Sequence, residues 1–159
     1  MSLEIRRATK DDAATIAALN ADVQAIHADA LPWRFKHPAA SPYPAAEVES
    51  RLARPDIVAF LARQDGASVG YVIAEIIRQP DTARHHAHST IYVHEISVRE
   101  TARRHGIGRA LLDAVKAHGE ALGITTLALD TWAFNAGALA FFQRYGLVPY
   151  NVRMWNRRN

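Results

Sequence analysis

Apolar and polar positions alternate from Leu3 to Ala8, which predicts a short first strand. Thr9 stands three residues before Asp12, the spacing of a helix capping pair. Ile16, Leu19, Val23 and Ile26 then recur at helical spacing, predicting an amphipathic helix to about His27. Residues 28–44 break this pattern. Pro32, Pro38, Pro42 and Pro44 exclude a regular element, and Trp33, Phe35 and Tyr43 are interleaved with them. A second short helix is predicted over Ala45–Ala53, with Val48 and Leu52 facing inward and Pro55 ending it.

Ile57–Arg63 and Val69–Ile77 read as strands joined by the turn Gln64-Asp65-Gly66-Ala67, hence a hairpin. A polar loop, Gln79–Ser89, leads to a strand rich in β-branched residues, Thr90–Val98. Gly108–Leu122 is helical, with Leu111, Val115, His118 and Leu122 on one stripe and Gly123 as C-cap. Ile124–Trp132 is an apolar strand. Asn135 caps a helix that groups Ala138, Phe141, Phe142 and Tyr145, and Gly146 ends it. Leu147–Trp155 is predicted as a last strand or strand pair, an edge that either packs on a partner subunit or covers the sheet. Early strands joined by turns pair antiparallel, and later strands joined by helices favour parallel pairing. The fold class is α/β of the α+β type: a mixed sheet with helices packed on it.

Composition narrows the function classes. The 159 residues are one domain's worth, expected to bury roughly 70% of the unfolded surface. No apolar run approaches the ~20 residues of a membrane span. Met1 to Asp12 lacks the apolar stretch of a secretory signal. With no cysteine, disulfides, thiolate nucleophiles and Cys-based zinc sites are excluded. These features fit a cytoplasmic protein without a membrane partner. The net charge of +3 suits a small anionic ligand. Basic residues are scattered apart from Arg103-Arg104 and the tail Arg153, Arg157 and Arg158, so the stripe expected of a nucleic-acid binder is missing. His85, His86 and His88 cluster in a polar loop with no acidic companion closer than Asp81, which reads as solvated loop and not as a metal site.

The sharpest chemistry lies at Arg103-Arg104-His105-Gly106-Ile107-Gly108, where a strand passes through a glycine turn into a helix. The first amides of a helix lack intrahelical partners and sit at its positive end, so the turn is an anion site. Glycines let a phosphate approach the backbone, and Arg103, Arg104 and Arg109 add charge. Neither standard nucleotide turn fits. There is no G-x-x-x-x-G-K-[ST], and Leu111 occupies the third glycine position of G-x-G-x-x-G. Alone, the turn fits a tight strand-to-helix connection equally well.

The wider stretch, residues 95–147, resembles the GNAT superfamily of acyl-CoA-dependent N-acyltransferases. The resemblance rests on the strand, the R-x-x-G-x-G turn at Arg103–Gly108, the W-x-F-N-x-G-A segment at Trp132–Ala138, and the closing Tyr145-Gly146-Leu147. It implies a mostly antiparallel sheet with helices on both faces, splayed between the strands near 90–98 and 124–132, with acetyl-CoA in the splay. It implies that main-chain groups of Ile96, Ser97 and Val98 pair with the pantetheine arm. Amides of Arg104, His105, Gly106, Ile107, Gly108, Arg109 and Ala110 would wrap the pyrophosphate, with Arg103 at the first position of the turn. Asn135 would bond the pantetheine region, and Ala138, Phe141, Phe142 and Arg144 would flank the cofactor.

The implied reaction is acetyl transfer from acetyl-CoA to an amine of a small molecule or of a protein or peptide. It needs a base, an oxyanion donor and a route for thiolate departure. The amine itself is the nucleophile. Glu95 is the candidate base; the same position also suits a carboxylate that orients substrate or pairs with an arginine. His94, directed to the opposite face of a regular strand unless a bulge intervenes, is the alternative. The oxyanion donor is most simply a main-chain amide near Ile96. Many relatives carry a Tyr where Phe142 stands, and Phe142 cannot donate a proton. Tyr145, one turn on, is the remaining candidate acid, with core packing as its alternative. Trp33, Phe35 and Trp132 are expected to wall the acceptor site. A homodimer is compatible with the chain. The competing reading is a catalytically silent acyl-CoA-binding sensor or assembly module, supported by Phe142.

Overall fold

The computed structural model describes residues 2–157; Met1, Arg158 and Asn159 lie outside the described residues, so the basic tail is seen only as Arg153 and Arg157. The strands β1 (Leu3–Arg7), β2 (Ile57–Gln64), β3 (Ala67–Gln79), β4 (His88–Val98) and β5 (Leu127–Leu129) form one sheet in that spatial order. The helices are α1 (Ala13–Ala30), α2 (Ala45–Leu52), α3 (Ile107–Ala121) and α4 (Ala136–Tyr145). β1 to β4 pair antiparallel, and β5 joins β4 parallel. The β2–β3 turn places Asp65 at φ 50° and Gly66 at φ 85°. Left-handed geometry at both residues matches the twist of a two-residue hairpin and explains the Asp-Gly pair.

α1 begins after a short 3-10 turn, Lys10–Asp12, and runs further than its apolar stripe suggested. The Thr9 N–H donates to Asp12 Oδ2 at 2.9 Å, and Arg6 clamps the same carboxylate with bonds of 3.0 and 2.6 Å. Each face of the sheet has its own core. Ile16, Leu19 and Val48 of α1 and α2 pack on Leu61, Tyr71 and Ile73. Ile107, Leu111, Leu112 and Val115 of α3, with Phe142 of α4, pack on Val72, Ala74, Ile91 and Val93. Burying each such side chain contributes about 1.5–3 kcal/mol. Leu122, expected on the inner stripe of α3, is exposed, because the helix has ended at Ala121 and the chain turns at Gly123 with φ 75°.

Two departures from the expected strands define the site. β5 is reduced to three residues, paired Ile91↔Leu127, Tyr92↔Ala128 and Val93↔Leu129. Beyond Val93 the two strands part, and the edge of β4 from His94 to Val98 is open. This is the expected splay. The predicted strand over 147–155 does not form, and among the described residues no strand follows β5. Pro149 removes a ladder donor there, and Val148, Tyr150, Val152 and Met154 are all exposed, at 78, 73, 75 and 91%.

A β-bulge sits where the splay opens. The register passes from Ala74↔Val93 directly to Ile73↔Glu95, so His94 is an extra residue in β4. A bulge disturbs the strict alternation of a strand. Ile91 and Val93 belong to the α3 side of the sheet, yet Glu95 and Ser97 contact Asn20 and Leu19 of α1. His94 lies with Tyr92, their rings 5.0 Å apart, and bonds Glu75. His94 and Glu95 therefore share one side of the sheet, instead of the opposite sides that a regular strand gives.

Candidate active site

Glu95 lies at the centre of a polar network between the sheet and the α1–α2 layer. Tyr71 on β3 donates to Glu95 Oε2 at 2.9 Å. Asn20 of α1 donates to the Tyr71 hydroxyl at 2.8 Å and reaches Glu95 Oε2 at 3.4 Å. Arg51 of α2 forms an ion pair with Glu95 Oε1 and also donates to the Tyr43 hydroxyl at 3.1 Å. Both oxygens of Glu95 are thus engaged. Burial opposes the Arg51 charge, but Glu95 and the Tyr43 hydroxyl outweigh it, and its pKa rises. Burial first, and then the Glu95 charge, push the Tyr71 hydroxyl well above the ordinary tyrosine value. Beside this network, α1 and the proline loop line an open-sided cavity of about 300 Å³ between Ala17, Ala21, Pro38 and Tyr43, with Asn20 on its wall.

His94, the bulged residue, belongs to a second network. Its Nε2 lies 2.6 Å from Glu75 Oε2, while Arg54 donates to Glu75 Oε1 at 2.8 Å and to Asp56. His94 is more open to solvent than Glu95, with 32% of its side chain accessible against 22%.

The glycine turn takes a conformation suited to an anion. Arg104 at φ 66° and Gly106 at φ 77° both adopt left-handed backbone, which curls the chain before α3. The first intrahelical bond runs from the Ala110 N–H to the Gly106 carbonyl at 3.0 Å, leaving the preceding amides without helical acceptors. Arg103 donates to the Val98 carbonyl at 2.9 Å, tying the turn to the end of β4. Arg103, Arg104, His105 and Arg109 are exposed. A Cβ at Gly106 would meet nothing within 4 Å, whereas one at Gly108 would come within 3.0 Å of the Phe141 ring. Gly108 therefore also permits α3 to pack closely on α4.

Asn135 caps α4, its Oδ1 accepting from the Ala138 N–H at 3.1 Å. Its side-chain amide nitrogen makes no hydrogen bond among the described residues. Ala138 and Phe141 pack against the α3-side core, Phe142 lies inside it at 7% exposure, and Arg144 is exposed. The Tyr145 hydroxyl donates to Asp113 at 2.8 Å. Burial first, then Asp113, raise its pKa. Tyr145 packs on the α3 side, while Glu95 meets its partners on the other side of the sheet.

Trp33, Phe35 and Trp132 fall into one aromatic cluster. Phe35 meets Trp132 edge-on at 5.5 Å, and Trp155 bridges Trp33 and Trp132 at 5.9 and 6.0 Å. Phe134 stacks on Trp132 at 5.7 Å, and Arg34 lies 5.2 Å over the Trp132 ring. From the sequence, His27 reads only as the end of the first helix, Phe134 only as part of the W-x-F-N-x-G-A segment, and Trp155 only as part of an edge strand. Asn20, Arg51, Tyr71 and Glu75 were not singled out. A signal existed for the last two: each is a polar-tipped residue inside the apolar run Val69–Ile77, where a buried polar atom needs a partner.

Comparison with known proteins gives the architecture a family. The family described as "Acetyltransferase (GNAT) family" matches residues 21–147. A curated relative, an IAA acetyltransferase of Azospirillum brasilense, is 33% identical over 97 residues, which covers 61% of this chain and 58% of that protein. The chain thus aligns with less than two thirds of that relative's length. Among solved structures, a tetramutant of the BH1408 protein of Bacillus halodurans superposes with a TM-score of 0.92 at 21% identity, over 98% of this chain and 99% of the other. The aminoglycoside N-acetyltransferase AAC(6')-Iy, in complex with CoA, gives 0.75 at 22% identity over 99% and 95% of the two chains. A ribosomal-protein-alanine N-acetyltransferase of Brucella melitensis gives 0.74 at 23% identity over 99% and 100%. These structural likenesses speak for the fold. No helix among the described residues is long and apolar enough to cross a membrane. With the family pattern running from residue 21 to residue 147, over four of the five strands and on to the end of α4, the chain belongs to the acetyltransferase (GNAT) family.

Proposed function

We propose that the protein transfers an acetyl group from acetyl-CoA to a primary amine of a small molecule or peptide, by direct attack in a ternary complex. The observation that carries this reading is the open edge of β4, His94 to Val98, running directly into the left-handed turn before α3. The edge offers main-chain groups of Ile96, Ser97 and Val98 to an extended pantetheine arm. The turn offers amides from Arg104 to Ala110 to a pyrophosphate, where the positive helix end and the exposed arginines favour negative charge. The unpaired Asn135 amide nitrogen is available to pantetheine from the β5 side.

In this reading the amine attacks the thioester carbonyl, the C–N bond forms, and the C–S bond breaks. A main-chain amide near Ile96 stabilises the oxyanion. Glu95, engaged by Arg51, Tyr71 and Asn20, shapes the acceptor side of the splay. The thiolate is a tolerable leaving group and takes its proton from solvent, since Tyr145 is committed to Asp113. Trp33, Phe35 and Trp132 form the outer wall of the acceptor site.

An acetyl-CoA thermal-shift titration, followed by thiol release across an amine panel, tests this. Saturable stabilisation with amine-dependent release supports it. Binding without release for any amine favours the silent module, for which the buried Phe142 speaks. Absence of binding overturns both.

A further inference from the structure

We propose that His94 is the base that takes the proton of the attacking amine, and that Glu75 is its positioning residue. The inference deepens the acetyl-transfer reading and rests on it. His94 is the first residue of β4 beyond the last β4–β5 pair and is itself the extra residue of the bulge. It thus stands at the point where the splay opens, next to the open edge that leads toward the glycine turn. Regular alternation after Val93 points it to the α1–α2 side of the sheet, and the bulge brings Glu95 to that same side, beside Tyr71.

Its hydrogen bonding fixes the chemistry. Glu75 Oε2 lies 2.6 Å from Nε2 and, as a carboxylate, can only accept, so Nε2 carries the hydrogen. Nδ1 then holds the lone pair, and it makes no hydrogen bond among the described residues. Arg54 holds the other Glu75 oxygen at 2.8 Å, which fixes the orientation of the carboxylate. Tyr92 packs edge-on against the ring at 5.0 Å and limits its rotation. Arg54, Glu75 and His94 thus form a chain of the kind that fixes an imidazole's tautomer and stabilises its protonated form. Glu95, the neighbouring carboxylate, has both oxygens engaged.

The step balances. The amine nitrogen attacks the thioester carbonyl carbon and its N–H proton passes to Nδ1. The C–N bond forms, the C–S pair leaves as CoA thiolate, and the imidazolium returns its proton to solvent. The charged and titratable groups around His94 are Glu75 on β3, Arg54 and Asp56 between α2 and β2, Tyr92 on β4 with Asp130 beyond it, and the Glu95–Arg51 pair.

The test measures thiol release from acetyl-CoA with an aliphatic amine that the wild type accepts. His94→Gln, His94→Gly, Glu75→Gln and Glu75→Asp are compared, with acetyl-CoA affinity by calorimetry as the control for folding. We expect His94→Gln to lose about 100-fold or more in kcat/KM for the amine, with acetyl-CoA affinity within about twofold. The acidic limb of the pH profile disappears in that variant, and added imidazole restores turnover in His94→Gly in proportion to its free-base concentration. Glu75→Gln loses about tenfold in kcat/KM and alters the pH profile; Glu75→Asp recovers part of the loss. Turnover and a pH profile unchanged in His94→Gln overturn the proton role while leaving acetyl transfer standing. Lost turnover that imidazole cannot restore also overturns it. Wild-type protein that releases no thiol with any amine overturns the acetyl-transfer reading and this inference together.

Discussion

The buried hydroxyl of Tyr71 donates to Glu95 at 2.9 Å, although the sheet register pairs Tyr71 with Ser97. Glu95 reaches it only because the bulge at His94 brings the carboxylate onto Tyr71's side of the sheet. Tyr71→Phe deletes this donor and removes the acceptor of Asn20. The expected cost is about 1–2 kcal/mol of stability, read as a lower urea midpoint with an unchanged slope. KM for the amine should rise while acetyl-CoA affinity stays at the wild-type value. A loss of acetyl-CoA binding in this variant would contradict the separation of acceptor side from cofactor edge.

The start of α1 responds to acid. Hydrogen bonds from Arg6, assisted by the Thr9 N–H against the effect of burial, hold the Asp12 carboxyl below its ordinary value of 3.8. A depressed carboxyl stabilises the fold fully above its unfolded value, and that stability is lost as pH falls through the folded value. Arg6 is more than a third exposed, so Arg6→Ala should cost only about 1 kcal/mol at neutral pH after solvent screening. The difference between variant and wild type should close at acid pH below the ordinary carboxyl value of 3.8. Urea unfolding at the two pH values checks both the size and the sign.

Gly108 carries two roles that two substitutions separate. Gly108→Ala places a Cβ 3.0 Å from the Phe141 ring and should destabilise the α3–α4 contact by about 1–3 kcal/mol. Gly108→Asp adds negative charge at the positive helix end and should abolish CoA binding. Calorimetry with CoA reads the difference: weakened but measurable binding for alanine, none for aspartate. Equal CoA affinity in both variants and wild type would remove the pyrophosphate from this turn.

Asn135 divides in the same way. Asn135→Asp retains an oxygen for the Ala138 N–H, so the cap should survive with a stability change within about 0.5 kcal/mol. It loses the amide hydrogens available to pantetheine and should raise the KM for acetyl-CoA. Asn135→Ala loses the cap as well, at about 1 kcal/mol. If all three proteins share one KM, Asn135 is only a cap.

Much of this arrangement was legible in the chain. The β2–β3 hairpin follows from Asp65-Gly66 between apolar runs, and the strand–turn–helix unit from Gly106 and Gly108, because those residues answer to local backbone geometry. What escaped depends on contacts distant in sequence. No local pattern tells Arg51 that its partner is Glu95, 44 residues on. The bulge at His94 was equally hidden, since it is a property of pairing between two strands. The strand expected over 147–155 shows the converse failure. Its alternation of Val148, Tyr150, Val152 and Met154 satisfies the strand pattern, but pattern supplies no neighbour to bond with, and the structure leaves these side chains in solvent.

The extra residue at position 94 also carries an evolutionary consequence. Strand parity is counted in single codons. An in-frame deletion of His94 would restore strict alternation, leave Glu95 opposite Ile73 on the side of Arg51 and Tyr71, and remove only the imidazole. One inserted codon in an ancestral strand thus suffices to set an imidazole beside the Glu95 cluster, with no change in the order of the strands or in the helices that cover them.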